Sequence, residues 1–196
     1  MSGPELVERD FRIVHPPPRA RRTVVPNEVF GVLVFVFTEV MFFLGLISAH
    51  TITRDGWMVW PPPNQPRLPV EATAVTTLAL LASGVAMWVS GRDPGKRSTA
   101  YTVAGGLGAT FVLAQGYEWV RLIAQGLALE SSPYASFFYL IVGAHALHVI
   151  GGLTAVLWLR RRVVAGTLSD GAFQALRIFW YFVVLLWPVL YWRVYL

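Results

Sequence analysis

The sequence predicts an all-α integral membrane bundle of five transmembrane helices, with its N-terminus cytoplasmic and its C-terminus on the outer side. Three observations carry this reading. First, of 196 residues 55% are hydrophobic and only 14% charged, whereas a soluble domain carries about a quarter charged residues. Second, the apolar residues fall into five runs, and about 20 helical residues suffice to cross a hydrocarbon core of about 30 Å. Third, the basic residues alternate in abundance from one inter-run segment to the next, as the positive-inside rule requires.

The runs cover about 29–49, 72–89, 100–120, 135–159 and 178–195. Prolines and charges separate them: Trp60-Pro61-Pro62-Pro63 with Pro66 and Pro69, then Gly91 to Arg97, then Glu130 to Pro133, then Arg160-Arg161-Arg162. None of these separators is long enough to hold a further domain. The runs lack the alternation of barrel strands, and lipid requires each segment to satisfy its own backbone, so helices follow. With residues 1–26 on the cytoplasmic side, 12 basic residues lie inside and only Arg54, Arg67, Arg121 and Arg193 outside. This orientation predicts a multi-pass membrane protein, with 1–26 as an uncleaved cytoplasmic tail and 27–196 as the transmembrane domain. Arg21-Arg22 is read as part of that tail and not as an export signal. Trp57, Trp60, Trp119 and Trp192 fall near the outer boundary and Trp88, Trp158 and Trp180 near the inner one, as an aromatic belt would place them.

The net charge of +5 is spread over short loops, so nucleic acid is not expected as a partner. Cysteine is absent, which excludes disulfides, thiolate nucleophiles and Cys-based metal sites. No serine-histidine-acid set or nucleotide-binding glycine loop is present, and no catalytic residue is assigned. Ala104, Gly105, Gly108 and Ala109 supply small residues at spacings that let helices approach, and Ser83-Gly84 is read as a packing notch. Pro188 removes a hydrogen bond inside the last helix and should bend it or force a local rearrangement.

Ionisable groups at membrane depth are costly and need a partner or a purpose. Glu39 lies ten residues into the first run, about 15 Å deep at 1.5 Å per residue, and His145 lies as far into the fourth. His148 follows three positions later. Glu39, His145 and His148 are therefore expected to form a buried cluster that is proton-linked or structural, while Gln115 and Glu118 form a second, shallower patch. Metal or haem ligation by His145 and His148 is the competing reading. It is weak, because both come from one helix and His50 lies too far toward the outer boundary to complete a midplane site. A small proton-coupled transporter using Glu39 is a further alternative.

These residues carry a resemblance. Thr38-Glu39-Val40-Met41-Phe42-Phe43 resembles the S/T-E-V-M-F-F signature of subunit III of the haem-copper oxidases, and Trp60-Pro61-Pro62-Pro63 resembles the loop that follows it. Thr76-Thr77-Leu78 through Ser83-Gly84 resembles the next span, and Gln115-Gly116-Tyr117-Glu118-Trp119 its Q-x-x-E-aromatic motif. Ser136-Phe137-Phe138, then Gly143-Ala144-His145-Ala146-Leu147-His148-Val149, is similar to the G-x-H-x-x-H-V helix. The resemblance runs in order over 27–196. It implies a subunit of a cytochrome c oxidase that holds no haem or copper of its own, those cofactors belonging to partner subunits. It further implies packing on catalytic subunit I, with subunit II and other respiratory complex subunits nearby, binding of structural phospholipid, and support of proton uptake and durability. Glu39, His145 and His148 take the places of the family's buried glutamate and paired histidines. Two features depart from the family. The common form has seven helices where five are expected here, so the cleft those helices form must be incomplete or supplied by another chain. The last helix often reads Y-W-H-F-V-D, but here it is Phe179-Trp180-Tyr181-Phe182-Val183-Val184. A five-helix accessory protein of nitric oxide reductases shares the superfamily and is the alternative on this side.

Overall fold

The computed structural model describes residues 25–63 and 65–196. The expected tail, including Arg19, Arg21 and Arg22, lies outside the described residues apart from its last two positions. Five helices form the chain: α1 Asn27–Asp55, α2 Val70–Arg92, α3 Arg97–Ala124, α4 Pro133–Val164 and α5 Asp170–Tyr195. No strand occurs among the described residues.

Each helix overruns its apolar run, because helix ends are set by capping and not by hydropathy. Ser132 accepts from the Ala135 amide at 3.2 Å with Pro133 in the first turn, and Ser169 caps α5 in the same way through Ala172. The start of α5 at Asp170 therefore lies well before the apolar run at 178. At the other ends, Gly126 and Gly166 take positive φ (91° and 66°). The next amides reach back to Leu122 and Arg162 carbonyls, both at 3.0 Å, which closes α3 and α4 as a left-handed glycine turn does.

Four helices, α1, α2, α4 and α5, are long and apolar enough to cross a membrane. The 28-residue α3 has the length but is more polar, through its glycines, Gln115 and Glu118. Those side chains face inward: Gln115 and Glu118 are buried. α3 packs on both α2 and α4.

α5 is the hub, packing on α1, α2 and α4. Its buried face is Phe173, Leu176, Trp180, Val183, Val184, Trp187 and Leu190, and the helix continues through Pro188 without interruption. Small residues opposite the tryptophans make this possible. A Cβ on Gly108 would sit 2.7 Å from the Trp180 ring and one on Gly84 2.9 Å from Val184 Cγ1. Trp180 donates to Ser83 Oγ at 3.3 Å and Trp187 to Thr77 Oγ1 at 2.8 Å. Trp180 is thus a core residue and not part of an interfacial belt. Trp57, Trp88, Trp158 and Trp192 are exposed. By contrast, α1 sits at the edge of the bundle and buries only Val29, Phe43 and His50.

Candidate functional site: a glutamate-histidine pair between the first and fourth helices

Glu39 lies near the middle of α1 and His148 near the middle of α4, on faces that meet. Glu39 Oε2 is 2.9 Å from His148 Nε2. The other ring nitrogen, Nδ1, is 2.7 Å from the Ala144 carbonyl oxygen. A carbonyl only accepts, so Nδ1 carries a proton and donates it there. That assignment restricts the Glu39 contact to two forms. With a neutral imidazole, Nε2 is an acceptor and the protonated carboxyl donates to it. With a charged imidazole, Nε2 donates to the carboxylate. Moving one proton along one hydrogen bond converts either form into the other.

The surroundings hold the ring in place. Phe35, Phe43, Phe179 and Phe182 lie with centroids 6.5, 5.4, 6.4 and 6.2 Å from the His148 ring. The pair is not sealed: 19% of the Glu39 side chain and 17% of that of His148 remain accessible, on the side where α1 edges the bundle.

His145 does not join this pair. Three helical positions turn a side chain about 60° away around the axis, enough to place His145 on the far side of the α4–α5 contact. There it is 1% exposed, stacked on Trp187 at 4.9 Å and edge-on to Phe111 at 6.4 Å. Among the described residues neither ring nitrogen has a hydrogen-bond partner. A cavity of about 140 Å³ adjoins it, lined by Phe111, Gln115, Trp119, Val142 and Val149 among others. Among the described residues, no three His, Asp or Glu side chains come together as a metal-binding group.

Gln115 and Glu118 share a face of α3 but not a network. The Gln115 amide donates to the Tyr195 hydroxyl at 3.1 Å and accepts from Thr76 at 3.3 Å, tying α3 to α5 and α2. Glu118 pairs with Arg121 at 3.3 Å, beside a cavity of about 100 Å³ lined by Arg67 and Gln125. Sequence reasoning missed the ring stack of Trp187 on His145 and the bond from the Tyr101 hydroxyl to the Val156 carbonyl at 2.7 Å. Both join residues far apart in the chain, and no local pattern announces them.

The family model for cytochrome c oxidase subunit III matches residues 20–196. The chain belongs to the cytochrome c oxidase subunit III family. It is 34% identical over 180 residues to a probable cytochrome c oxidase subunit 3 of Mycobacterium leprae, covering 87% of this chain and 88% of that one. A probable cytochrome c oxidase subunit 3 of Nocardia farcinica is equally similar, with the same coverage. The cytochrome c oxidase subunit 3 of Synechocystis is 31% identical, covering 86% of this chain and 75% of that one. As a subunit III, the chain is a subunit of a haem-copper oxidase complex. The matches name cytochrome c oxidases, which disfavours the nitric oxide reductase accessory and the independent transporter. These first two relatives are matched along 88% of their own length.

Proposed function

We propose that this subunit III packs on the catalytic subunit of a cytochrome c oxidase and supplies no redox centre, haem and copper residing in partner subunits. Its own contribution is a proton-holding element, Glu39 with His148, that supports proton uptake and the durability of the complex. The observation that carries this reading is the 2.9 Å contact between Glu39 Oε2 and His148 Nε2 with Nδ1 already committed to Ala144. Such a pair holds one exchangeable proton in a fixed position and can pass between its two forms without moving a side chain. The distribution of basic residues supports a cytoplasmic tail at 1–26, an outer C-terminus and insertion in a bacterial cytoplasmic membrane. Open apolar faces, α1 above all, support contacts with partner helices and structural phospholipid.

The test is purification of the complex through a tag on this chain. Subunits I and II should copurify, and Glu39→Ala should slow proton uptake and shorten the number of turnovers before inactivation. Wild-type values for both would refute the assigned role.

A further inference from the structure

His145 is the ionisable side chain that the Glu39–His148 pair leaves unused. It lies near the middle of α4, 1% exposed, with its ring stacked on Trp187 at 4.9 Å. Among the described residues neither of its nitrogens meets a hydrogen-bond partner, and the same holds for the indole Nε1 of Trp119. Both side chains line one cavity of about 140 Å³ between α3 and α4, bounded on the α5 side by Trp187. Gln115 lines it too. Its amide gives one N–H to the Tyr195 hydroxyl at 3.1 Å and its oxygen accepts from Thr76 at 3.3 Å. No further bond among the described residues uses the second N–H or the second lone pair.

Three polar side chains around one space restrict what can fill it. A neutral imidazole carries one donor and one acceptor, the indole a donor, and the free half of the amide one of each. A buried group of this kind left dry forfeits its whole hydration. An ionisable side chain at membrane depth pairs with protein or faces a water-filled cavity, and His145 finds no pair among the described residues. Phe111, Val142 and Val149, which form much of the remaining wall, offer nothing to bond, and neither does an acyl chain. The occupant must both donate and accept, as water does. Size agrees with this, because liquid water takes about 30 Å³ per molecule and the space admits a cluster of up to about four. A cavity of like volume lined only by carbon stays dry.

We propose that this cavity is an internal hydration site, in which a small water cluster bridges His145, the Trp119 indole N–H and Gln115. The water supplies the hydrogen bonds that no protein group gives His145 and leaves its ring free to pack on Trp187. The site is separate from the Glu39–His148 pair, and its test does not use proton uptake.

The test is a density map of the intact oxidase complex at a resolution that shows ordered water. The wild type should show peaks about 2.7–3.2 Å from a His145 nitrogen and from Trp119 Nε1. His145→Phe keeps an aromatic face on Trp187 and removes both nitrogens, so its map should lose the peak at that position. Trp119→Phe removes the indole donor alone, and should lose the peak at Nε1 while keeping the one on His145. Should either variant fail to assemble, the wild-type map decides by itself. A wild-type cavity that is empty, that takes up xenon under pressure, or that holds an acyl chain or a protein side chain overturns the site. Peaks that persist unchanged in His145→Phe overturn His145 as their anchor.

Discussion

Glu39 Oε2 and His148 Nε2 lie 2.9 Å apart across the α1–α4 contact, while the opposite edge of the same imidazole is tied to its own helix at Ala144. The ring is fixed at both edges. Each substitution at Glu39 therefore has a distinct meaning, because only some side chains can replace the bond and fewer still can replace the proton.

Glu39→Ala leaves His148 Nε2 without a partner inside an aromatic cage and should destabilise the subunit by about 1–3 kcal/mol. Glu39→Gln can donate an amide N–H to the neutral imidazole and should cost less than about 1 kcal/mol. Thermal dissociation of this subunit from the complex measures the difference, and the two variants should separate clearly.

His145 is a packing residue in this account, since its ring stacks on Trp187 and neither nitrogen has a hydrogen-bond partner among the described residues. His145→Phe preserves an aromatic face of similar size and should change stability by less than about 1.5 kcal/mol. His148→Phe discards the Glu39 and Ala144 bonds together and should cost about 2 kcal/mol or more. The same dissociation assay ranks them.

Two glycines two positions apart on α3 should respond oppositely to alanine. At Gly108 the new methyl would meet the Trp180 ring at 2.7 Å, and the overpacking should cost about 1–3 kcal/mol. At Gly106 nothing lies within 4 Å, and the gain in helix propensity should stabilise by up to about 1 kcal/mol. Detergent-resistance midpoints of the two variants should move in opposite directions.

The Tyr101 hydroxyl, fully buried, holds α3 to α4 by donating to the Val156 carbonyl at 2.7 Å. Tyr101→Phe should lower stability by about 1 kcal/mol, and by more if the abandoned carbonyl stays dry. Amide hydrogen exchange around Val156 should speed up in that variant alone.

How much of this was legible in the sequence depends on how far apart the interacting residues lie. Apolar runs gave the positions of all five helices, because lipid leaves the backbone no alternative. Their ends were less visible, since Ser132, Ser169, Gly126 and Gly166 set them from outside the runs. The pairing of Glu39 with a histidine of the fourth run followed from depth alone. Which histidine did not, because His145 and His148 are close enough in spacing to suggest one face yet far enough around the helix to be divided by α5. Trp180 read as an interfacial residue from its place near the end of a run. Only the small residues Ser83 and Gly108 on other helices explain why it is in the core.

A double-substitution cycle on Glu39 and His148 tests the central claim most directly, with proton uptake by the intact oxidase complex as the readout. If the two residues hold one proton as a unit, Glu39→Gln and His148→Gln should each slow uptake by a similar factor, and the double variant should be no slower than either. Wild-type uptake in both single variants, or single effects that multiply in the double variant, would contradict it.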